Sequence, residues 1–504
     1  MSVRGVIKKL YGGGAALRLT LIVALFYFFL KSFSSSSLSP HKNIIKNYMN
    51  LIIRNFNIIA TFFCLFLLLD HMESTIPVIK DLLLIGGGHA HVHVLKMLGM
   101  NPLPGVRISL ISKDIETPYS GMLPGYIAGE YTKEECHIDL GKLCSFSGTR
   151  LILAEACKLD LKNKLIHCHD GRPPISYDVC SIDIGISPAP LAASIECETF
   201  ITPVKPISEF SSKWDRIMNK VLNLSNSDVV KLAIVGGGAG GVELCFAINK
   251  RLKDELRLRN KQDNQIQISI YSKSSSLLPS HNKNVQQIIH RIMSEKGINV
   301  ITNADVKNVI CCIKDGVNQN QIVTSDGEKY SFDEIISCTN AKAQDWLAES
   351  GLATTAEGFV IVKPTLESIN SANIFACGDV CHLEDNPRPK AGVFAVRAGA
   401  PLLRNLKSRL LGEPLEVWIP QDQFLGIITT GDRYAVSSKG PLAVEGGHQW
   451  VLKDSIDREW MKGYQVLPDK SNMAPLDADA KVFYDYHIIS LKVLIYTLIF
   501  IIQS

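Results

Sequence analysis

The residues best placed to do chemistry in this chain are glycines. Gly86, Gly87 and Gly88 follow the apolar run Leu82 to Ile85 and open a stretch with helical periodicity. A strand that turns tightly through glycines into a helix aims backbone N–H groups and the positive end of the helix at one point, where a phosphate can sit. Gly86 permits the bend, and Gly88 lets the backbone approach a pyrophosphate. The third position of this G-x-G-x-x-G pattern, which normally packs helix against strand, holds His91 instead of glycine or alanine. A second turn is complete: Leu232 to Val235 leads into Gly236, Gly238 and Gly241, and a helical run follows. Two strand–glycine–helix units 150 residues apart (236 minus 86) predict two dinucleotide sites in one chain.

Three nearby histidines, His89, His91 and His93, suggest a metal cluster. On a helix they fall at i, i+2 and i+4, so only His89 and His93 share a face, and no metal site is expected. A third element is more telling. The strand-like run Asn373 to Ala376 ends at Gly378 and Asp379, and a helix-forming run starts near Ala391. A carboxylate there can accept a hydrogen bond from the ribityl chain of a flavin, and the helix can aim its positive end at the pyrimidine carbonyl. Because this element follows the second glycine turn, the first domain is split and the second is inserted in it.

The elements that must position these residues are those of an α/β protein. The expected fold is two Rossmann-like, three-layer domains with a small C-terminal α+β region. The FAD-binding domain is assigned to residues 76–225 and 346–412, the NAD(P)H-binding domain to 226–345, and the α+β region to 413–469. At 504 residues the chain is too long for one core. Its net charge of +4 misleads, because residues 1–71 hold eight Lys or Arg and one acid, which leaves −3 for the rest (+4 minus +7). The body carries no basic run of the kind nucleic acid requires, so that partner class is excluded. Thirteen cysteines are scattered without Cys-x-x-Cys, which argues for buried reduced thiols and a reducing compartment.

Both ends are unusual. Residues 1–71 contain two apolar runs, Leu19 to Leu30 and Ile58 to Leu69, each short of the ~20 residues of a membrane helix. They fit a signal, an anchor or an organellar transit segment, and they equally fit sequence that the folded body does not need, since Met72 stands just before the first strand. The tail, residues 470–504, is apolar and marginal for spanning. It fits either a membrane anchor or a non-native end, so the compartment stays open and peripheral or anchored membrane contact is one expectation.

Together these segments resemble the pyridine nucleotide-disulfide oxidoreductase superfamily, in the branch of type II NADH dehydrogenases. The stretches "TPYSGMLPGYIAGEY", "PRPKAGVFAVRAG" and "WVLKDSIDREWM" are similar to the flavoprotein module fused to selenide, water dikinase. The resemblance implies FAD pyrophosphate at Gly86 and Gly88, with His89 and Lys390 among the cofactor contacts, and the ribityl chain at Gly378 and Asp379. It implies NAD(P)H pyrophosphate at Gly236, Gly238 and Gly241, Glu243 near the nicotinamide, and Pro118 and Tyr119 near the flavin ring, Tyr119 being either a packing partner or an ordinary loop aromatic.

Departures from that pattern matter. The acids expected at the ends of the second strands are replaced by Ser112 and Ser272. Asp114 can substitute in the first domain, and Lys273 in the second favours NADPH over NADH. Asn340 stands where relatives carry glycine. Without a dithiol beside the first turn, electrons must leave to a quinone, a small soluble acceptor, or a selenium or sulfur compound. Trp450, Trp460 and Met461 either form an apolar surface for a quinone or belong to the core. A non-catalytic nucleotide-binding scaffold for the dikinase is the competing expectation.

Overall fold

The computed structural model describes residues 77–469, apart from residues 189–190, 194, 206, 226–227, 312, 315–316, 319 and 340. The expectations for residues 1–71, for the tail 470–504 and for Asn340 lie outside the described residues.

The first sheet is built from β1 (Lys80–Ile85), β2 (Val106–Ser112), β3 (Arg150–Leu153) and β4 (Val179–Ile182), with α1 (His89–Met100) crossing from β1 to β2. The chain then enters a second sheet, made by β5 (Ile201–Pro203), β6 (Val230–Val235), β7 (Ile266–Tyr271), β8 (Asn299–Ile301) and β9 (Glu334–Ser337). Its helices include α2 (Ile207–Leu222), α3 (Ala239–Leu258) and α4 (Lys283–Glu295). The chain returns to the first sheet with β10 (Ile374–Ala376), which pairs with β4, and continues into α5 (Gly392–Leu411). An antiparallel meander of β11 (Gly426–Thr429), β12 (Ala435–Lys439) and β13 (Leu442–Gly446) and a helix, α6 (Gly447–Gln465), follow.

Both five-stranded sheets are parallel throughout, in the orders β10-β4-β1-β2-β3 and β5-β9-β6-β7-β8. Strands buried on both faces need continuous apolar runs, which is why Leu82 to Ile85 and Leu232 to Val235 carry no polar alternation. In each sheet the strand leading into the glycine turn sits where the order reverses. β2 and β3 lie to one side of β1, with β4 and β10 on the other. β7 and β8 flank β6 on one side, β9 and β5 on the other. Ligands of open α/β sheets bind in the crevice at the carboxyl ends of the strands beside such a switch point.

In each sheet the second strand after the one that enters the glycine turn is followed by a three-stranded antiparallel layer, residues 156–176 after β3 and 306–332 after β8. The fold therefore repeats a strand–helix–strand–strand–antiparallel layer–strand unit, with the second copy inserted before β10 of the first. Packing follows the same division: one core gathers β1, β2, β4, β10, α1 and α5, and a second gathers β6, β7, α3 and α4.

Among the described residues most thiols are free and buried as expected, Cys157 and Cys338 are half-buried, and one pair is oxidised. Cys136, Cys144, Cys180, Cys245, Cys377 and Cys381 are free and buried, but Cys197 and Cys311 form a disulfide. The reason is local pairing. Ala193 and Val309 form a parallel bridge and Val309 N–H donates to the Ala192 carbonyl at 2.8 Å, which lays the two segments side by side.

Candidate functional site: two matched glycine turns and a shared crevice

The two glycine turns have the same backbone wiring. Gly86 N–H donates to the Ile111 carbonyl at the end of β2, and Gly236 N–H donates to the Tyr271 carbonyl at the end of β7. Gly86 and Gly236 both have positive φ, +90° and +129°. A Cβ on either would come within 2.3 Å of a carbonyl oxygen, that of Asp183 after β4 or that of Cys338 after β9. Both positions therefore require glycine twice over, once for conformation and once for space. Gly238 and Gly240 have no heavy atom within 4 Å of where a Cβ would stand, so the second turn presents open backbone.

The third position is where the turns differ. A Cβ at Gly241 would lie 1.9 Å from the Gly236 carbonyl oxygen, so α3 runs against its turn. His91 at the matching position of α1 is fully buried, with Nδ1 at 2.7 Å from the Gly86 carbonyl oxygen and Nε2 at 2.8 Å from Ser181 Oγ on β4. A carbonyl can only accept, so Nδ1 carries the proton and Nε2 accepts from the Ser181 hydroxyl. Burial pushes the imidazole down to about 4, against the pull of the Gly86 carbonyl, which keeps it neutral. The ring thus fills the helix–sheet gap that glycine closes in the second domain. His89 instead lies edge-on to Tyr119 and Trp460, and His93 abuts Gly399 of α5. The three histidines serve separate contacts.

A cleft of about 530 Å³ opens at the switch point of the first sheet. Gly86, Gly88, His89, Asp114, Pro118 and Asp379 line it, together with Lys205, Gly392 at the start of α5, and Asp183. Its volume falls within the range of cofactor sites. At one end, beyond β3, are Ala154, Glu155 and His169; at the other are Lys205, Asp379 and Gly392. Lys205 pairs with Asp379 at 3.1 Å. Ser112 spends its hydroxyl on the Asp114 carbonyl at 2.7 Å, which holds the loop that brings Asp114 to the cleft.

Three expected contacts, Gly378, Lys390 and Tyr119, do not line this cleft. Lys390 donates to the Cys381 carbonyl and sits over the Phe359 ring at 3.9 Å, and it is not among the cleft-lining residues. Tyr119 also does not line the cleft; its ring stacks on Trp460 with centroids 4.2 Å apart. Burial and the neighbouring Asp457 raise the Tyr119 phenol well above its ordinary range.

Around the second turn, Glu243 is pulled away from the turn toward the C-terminal meander. It accepts from Thr429 N–H and Oγ1 at 3.0 and 3.1 Å, and burial raises its carboxyl above the usual carboxylate range. Lys453 of α6 donates to the Gly121 carbonyl at 2.7 Å and to Asp457 at 2.6 Å. Burial disfavours its charge, but Asp457 and Glu243 outweigh that effect and hold the ammonium above its ordinary range. Ser272 is buried and accepts from Ser274 N–H, so its hydroxyl stabilises the loop, whereas Lys273 stands exposed just past β7.

Of the aromatic residues proposed for an apolar surface, Met461 is buried, Trp460 is half-buried in the Tyr119 stack, and Trp450 donates to Glu130 at 2.9 Å. Exposed apolar residues of this region include Val451, Leu452 and Ile456 of α6 and Leu442 and Val444 of β13. Among the described residues no helix is long and apolar enough to cross a membrane. The sequence pattern alone missed Asp183, Lys205, Lys453 and Asp457. An acid directly after the apolar strand Val179–Ile182 was the one available signal for Asp183.

Comparison with known proteins agrees with this architecture. Residues 80–399 match the family described as pyridine nucleotide-disulphide oxidoreductase. Among curated relatives, ferroptosis suppressor protein 1 of Taeniopygia guttata is 25% identical over 38% of this chain and 48% of its own length. The type II NADH:quinone oxidoreductase of Staphylococcus aureus is 21% identical over 67% of this chain and 84% of its own length. The chain spans about half the length of the relatives with the higher identities, the second being the Haemophilus influenzae type II NADH:quinone oxidoreductase at 51%. Solved structures share the fold: the sulfide:quinone oxidoreductase of Aquifex aeolicus has a TM-score of 0.61 at 16% identity, covering 78% of this chain and 94% of that one. NDH2 of Plasmodium falciparum, solved with NADH, has a TM-score of 0.59 at 16% identity, covering 77% of this chain and 99% of its own. With paired glycine turns at the switch points of two parallel sheets and a family match across both, the chain belongs to the pyridine nucleotide-disulphide oxidoreductase family.

Proposed function

We propose that this chain oxidises NAD(P)H and passes the electrons through FAD to a quinone. The observation that carries the reading is the matched pair of glycine turns, each at a switch point and each closed by a carbonyl from the neighbouring strand's end, that of Asp183 after β4 or of Cys338 after β9. FAD supplies a hydride acceptor that a second substrate can empty again. In the first cleft the glycine cradle at Gly86 and Gly88 would take the pyrophosphate, and Asp114 the adenosine ribose. Asp379, held by Lys205, would take the ribityl chain, and the N-terminus of α5 at Gly392 would face the far ring. The second turn, with Gly236, Gly238 and Gly241, would hold the nicotinamide dinucleotide. Lys273 beside a residue that is not an acid favours a 2′-phosphate, hence NADPH.

A quinone reduced by hydride needs one further proton. Lys453 Nζ and the Tyr119 hydroxyl are protonated groups beside this region: Asp457 and Glu243 hold the ammonium charged against burial, and burial with Asp457 keeps the phenol neutral. The exposed apolar residues of α6 and β13 support an apolar acceptor reaching this side of the molecule. Steady-state oxidation of NADPH and NADH by the full chain with a water-soluble ubiquinone tests the reading. A quinone-dependent rate supports it, and a rate no faster than without quinone sinks the quinone assignment. The segments that resemble the module fused to selenide, water dikinase support a second acceptor class, selenium or sulfur compounds, with the dikinase as partner. The same assay with selenodiglutathione in place of quinone separates the two.

A further inference from the structure

Besides the third position, the two glycine turns differ in the side chain of the residue that closes each. In the second domain that residue is Cys338, and in the first it is Asp183. The Asp183 side chain lies over the start of α1. Its Oδ2 accepts from Ala90 N–H at 3.0 Å and His91 N–H at 3.2 Å, and the carboxylate fills the space where a Cβ on Gly88 would stand, 2.2 Å away. Its Oδ1 lies 2.6 Å from the position of a Cβ on Gly378, and the residue is only 3% exposed. A fixed acid therefore occupies the helix end whose positive field would otherwise be directed at a bound pyrophosphate.

The other ionisable groups around Asp183 do not neutralise it. Asp379 on the β10 side repels it and is itself engaged by Lys205, and Cys377 offers a thiol hydrogen bond. On α1, His91 is neutral and bonded to Gly86 and Ser181, and burial lowers His89 as well. Lys390 is occupied at Cys381. A diphosphate held at Gly86 and Gly88 meets the Asp183 carboxylate, and like charges brought into a desolvated site repel strongly.

We propose that Asp183 is a proton-linked positioning residue of the dinucleotide site: binding of the diphosphate takes up one proton from solvent onto the Asp183 carboxyl. The protonated side chain still accepts from the α1 amides through one oxygen and adds an O–H donor in place of a negative charge. Burial already raises this carboxyl to about 7, outweighing the two amide hydrogen bonds that favour its charged form, so the uptake falls in the neutral range. The sign follows. The complex binds the proton more tightly than the free protein, so affinity is greatest below about pH 7 and falls as pH rises through it, by up to tenfold per unit. The inference rests on the first cleft being the FAD site.

The test is equilibrium binding to the deflavinated full chain between pH 6 and 8.5. FAD is followed by quenching of its fluorescence, and ADP-ribose and riboflavin are followed by calorimetry. ADP-ribose carries the diphosphate without the flavin, and riboflavin carries the flavin without phosphate. The expected result is an apparent Kd for FAD and ADP-ribose that rises at least tenfold from pH 7 to 8.5, a flat profile for riboflavin, and a profile for Asp183→Asn that is flat and tighter at pH 8.5. Calorimetry in buffers of different ionisation enthalpy should count about one proton taken up per FAD at pH 8. A pH-independent Kd for wild-type FAD binding, or a slope kept by both Asp183→Asn and Asp183→Ser, overturns the inference and leaves the cofactor assignment standing. Failure to bind FAD at any pH overturns both.

Discussion

Replacing His91 by alanine tests the reasoning about the first turn most sharply, because the common pattern would call that change an improvement. The structure predicts the opposite. The ring is fully buried, and removing it strands the Gly86 carbonyl and the Ser181 hydroxyl, which it meets at 2.7 and 2.8 Å. Leaving a buried polar group unpaired costs about 1–3 kcal/mol, and the vacated space adds to it, so a loss of about 3 kcal/mol is expected. The effect also depends on pH. The folded-state value of about 4 lies below the ordinary 6.5, so the contribution of the neutral ring is complete above pH 6.5 and is lost as pH falls toward 4. That shift corresponds to roughly 3 kcal/mol at about 1.4 kcal/mol per unit. Asp183 works in the other sense, since its raised carboxyl favours folding at low pH and loses that contribution as pH rises from about 4 to 7. It is present in both proteins and largely cancels in the difference. Urea denaturation of wild type and His91→Ala at pH 7.5 and pH 5 should show a large gap that narrows by about 2 kcal/mol on acidification. Ser181→Ala should couple to His91→Ala by about 1 kcal/mol in a double-mutant cycle. A variant within ~0.5 kcal/mol of wild type at pH 7.5, in the range of neutral surface changes, would refute the account of the ring.

Three further outcomes follow from the geometry. Gly86→Ala and Gly236→Ala each drive a Cβ against a carbonyl 2.3 Å away, so the first should abolish the flavin absorption band, and the second should keep it while losing NADPH binding by fluorescence titration. Lys273→Ala should raise KM for NADPH about tenfold, the value of ~1.4 kcal/mol for one exposed phosphate contact, with NADH little changed; equal effects on both would remove the basis for NADPH preference. Lys453→Met leaves Asp457 buried without its cation and should cost about 3–5 kcal/mol by denaturation, while the double change Lys453→Met with Asp457→Leu should recover much of it.

Much of the fold was legible because its signals are local. Apolar runs that end in glycine marked β1 and β6, and Gly378 with Asp379 after a short strand showed that the first domain is split. The site was legible only where the chain itself carries both partners. Asp183 meets Ala90 and His91 across more than 90 residues, and Lys205 meets Asp379 across 174. Such pairs are set by which strands become neighbours in a sheet, and strand order is not written in any one segment. His91 shows the converse: an irregular residue read as a weak motif is matched by Ser181 on the adjacent strand, so the departure is compensated across the sheet. Lys390 and Tyr119 were assigned to the cofactor from segment likeness, and each has another partner close by, a carbonyl for Lys390 and Trp460 for Tyr119.

The central claim is that a nicotinamide and a flavin bound at the two turns exchange a hydride. Anaerobic titration of the FAD-loaded full chain with NADPH, followed near 450 nm, measures this directly. The account predicts loss of the flavin band with one equivalent of NADPH and its return when a quinone is added. A band that persists through excess NADPH and NADH would contradict it.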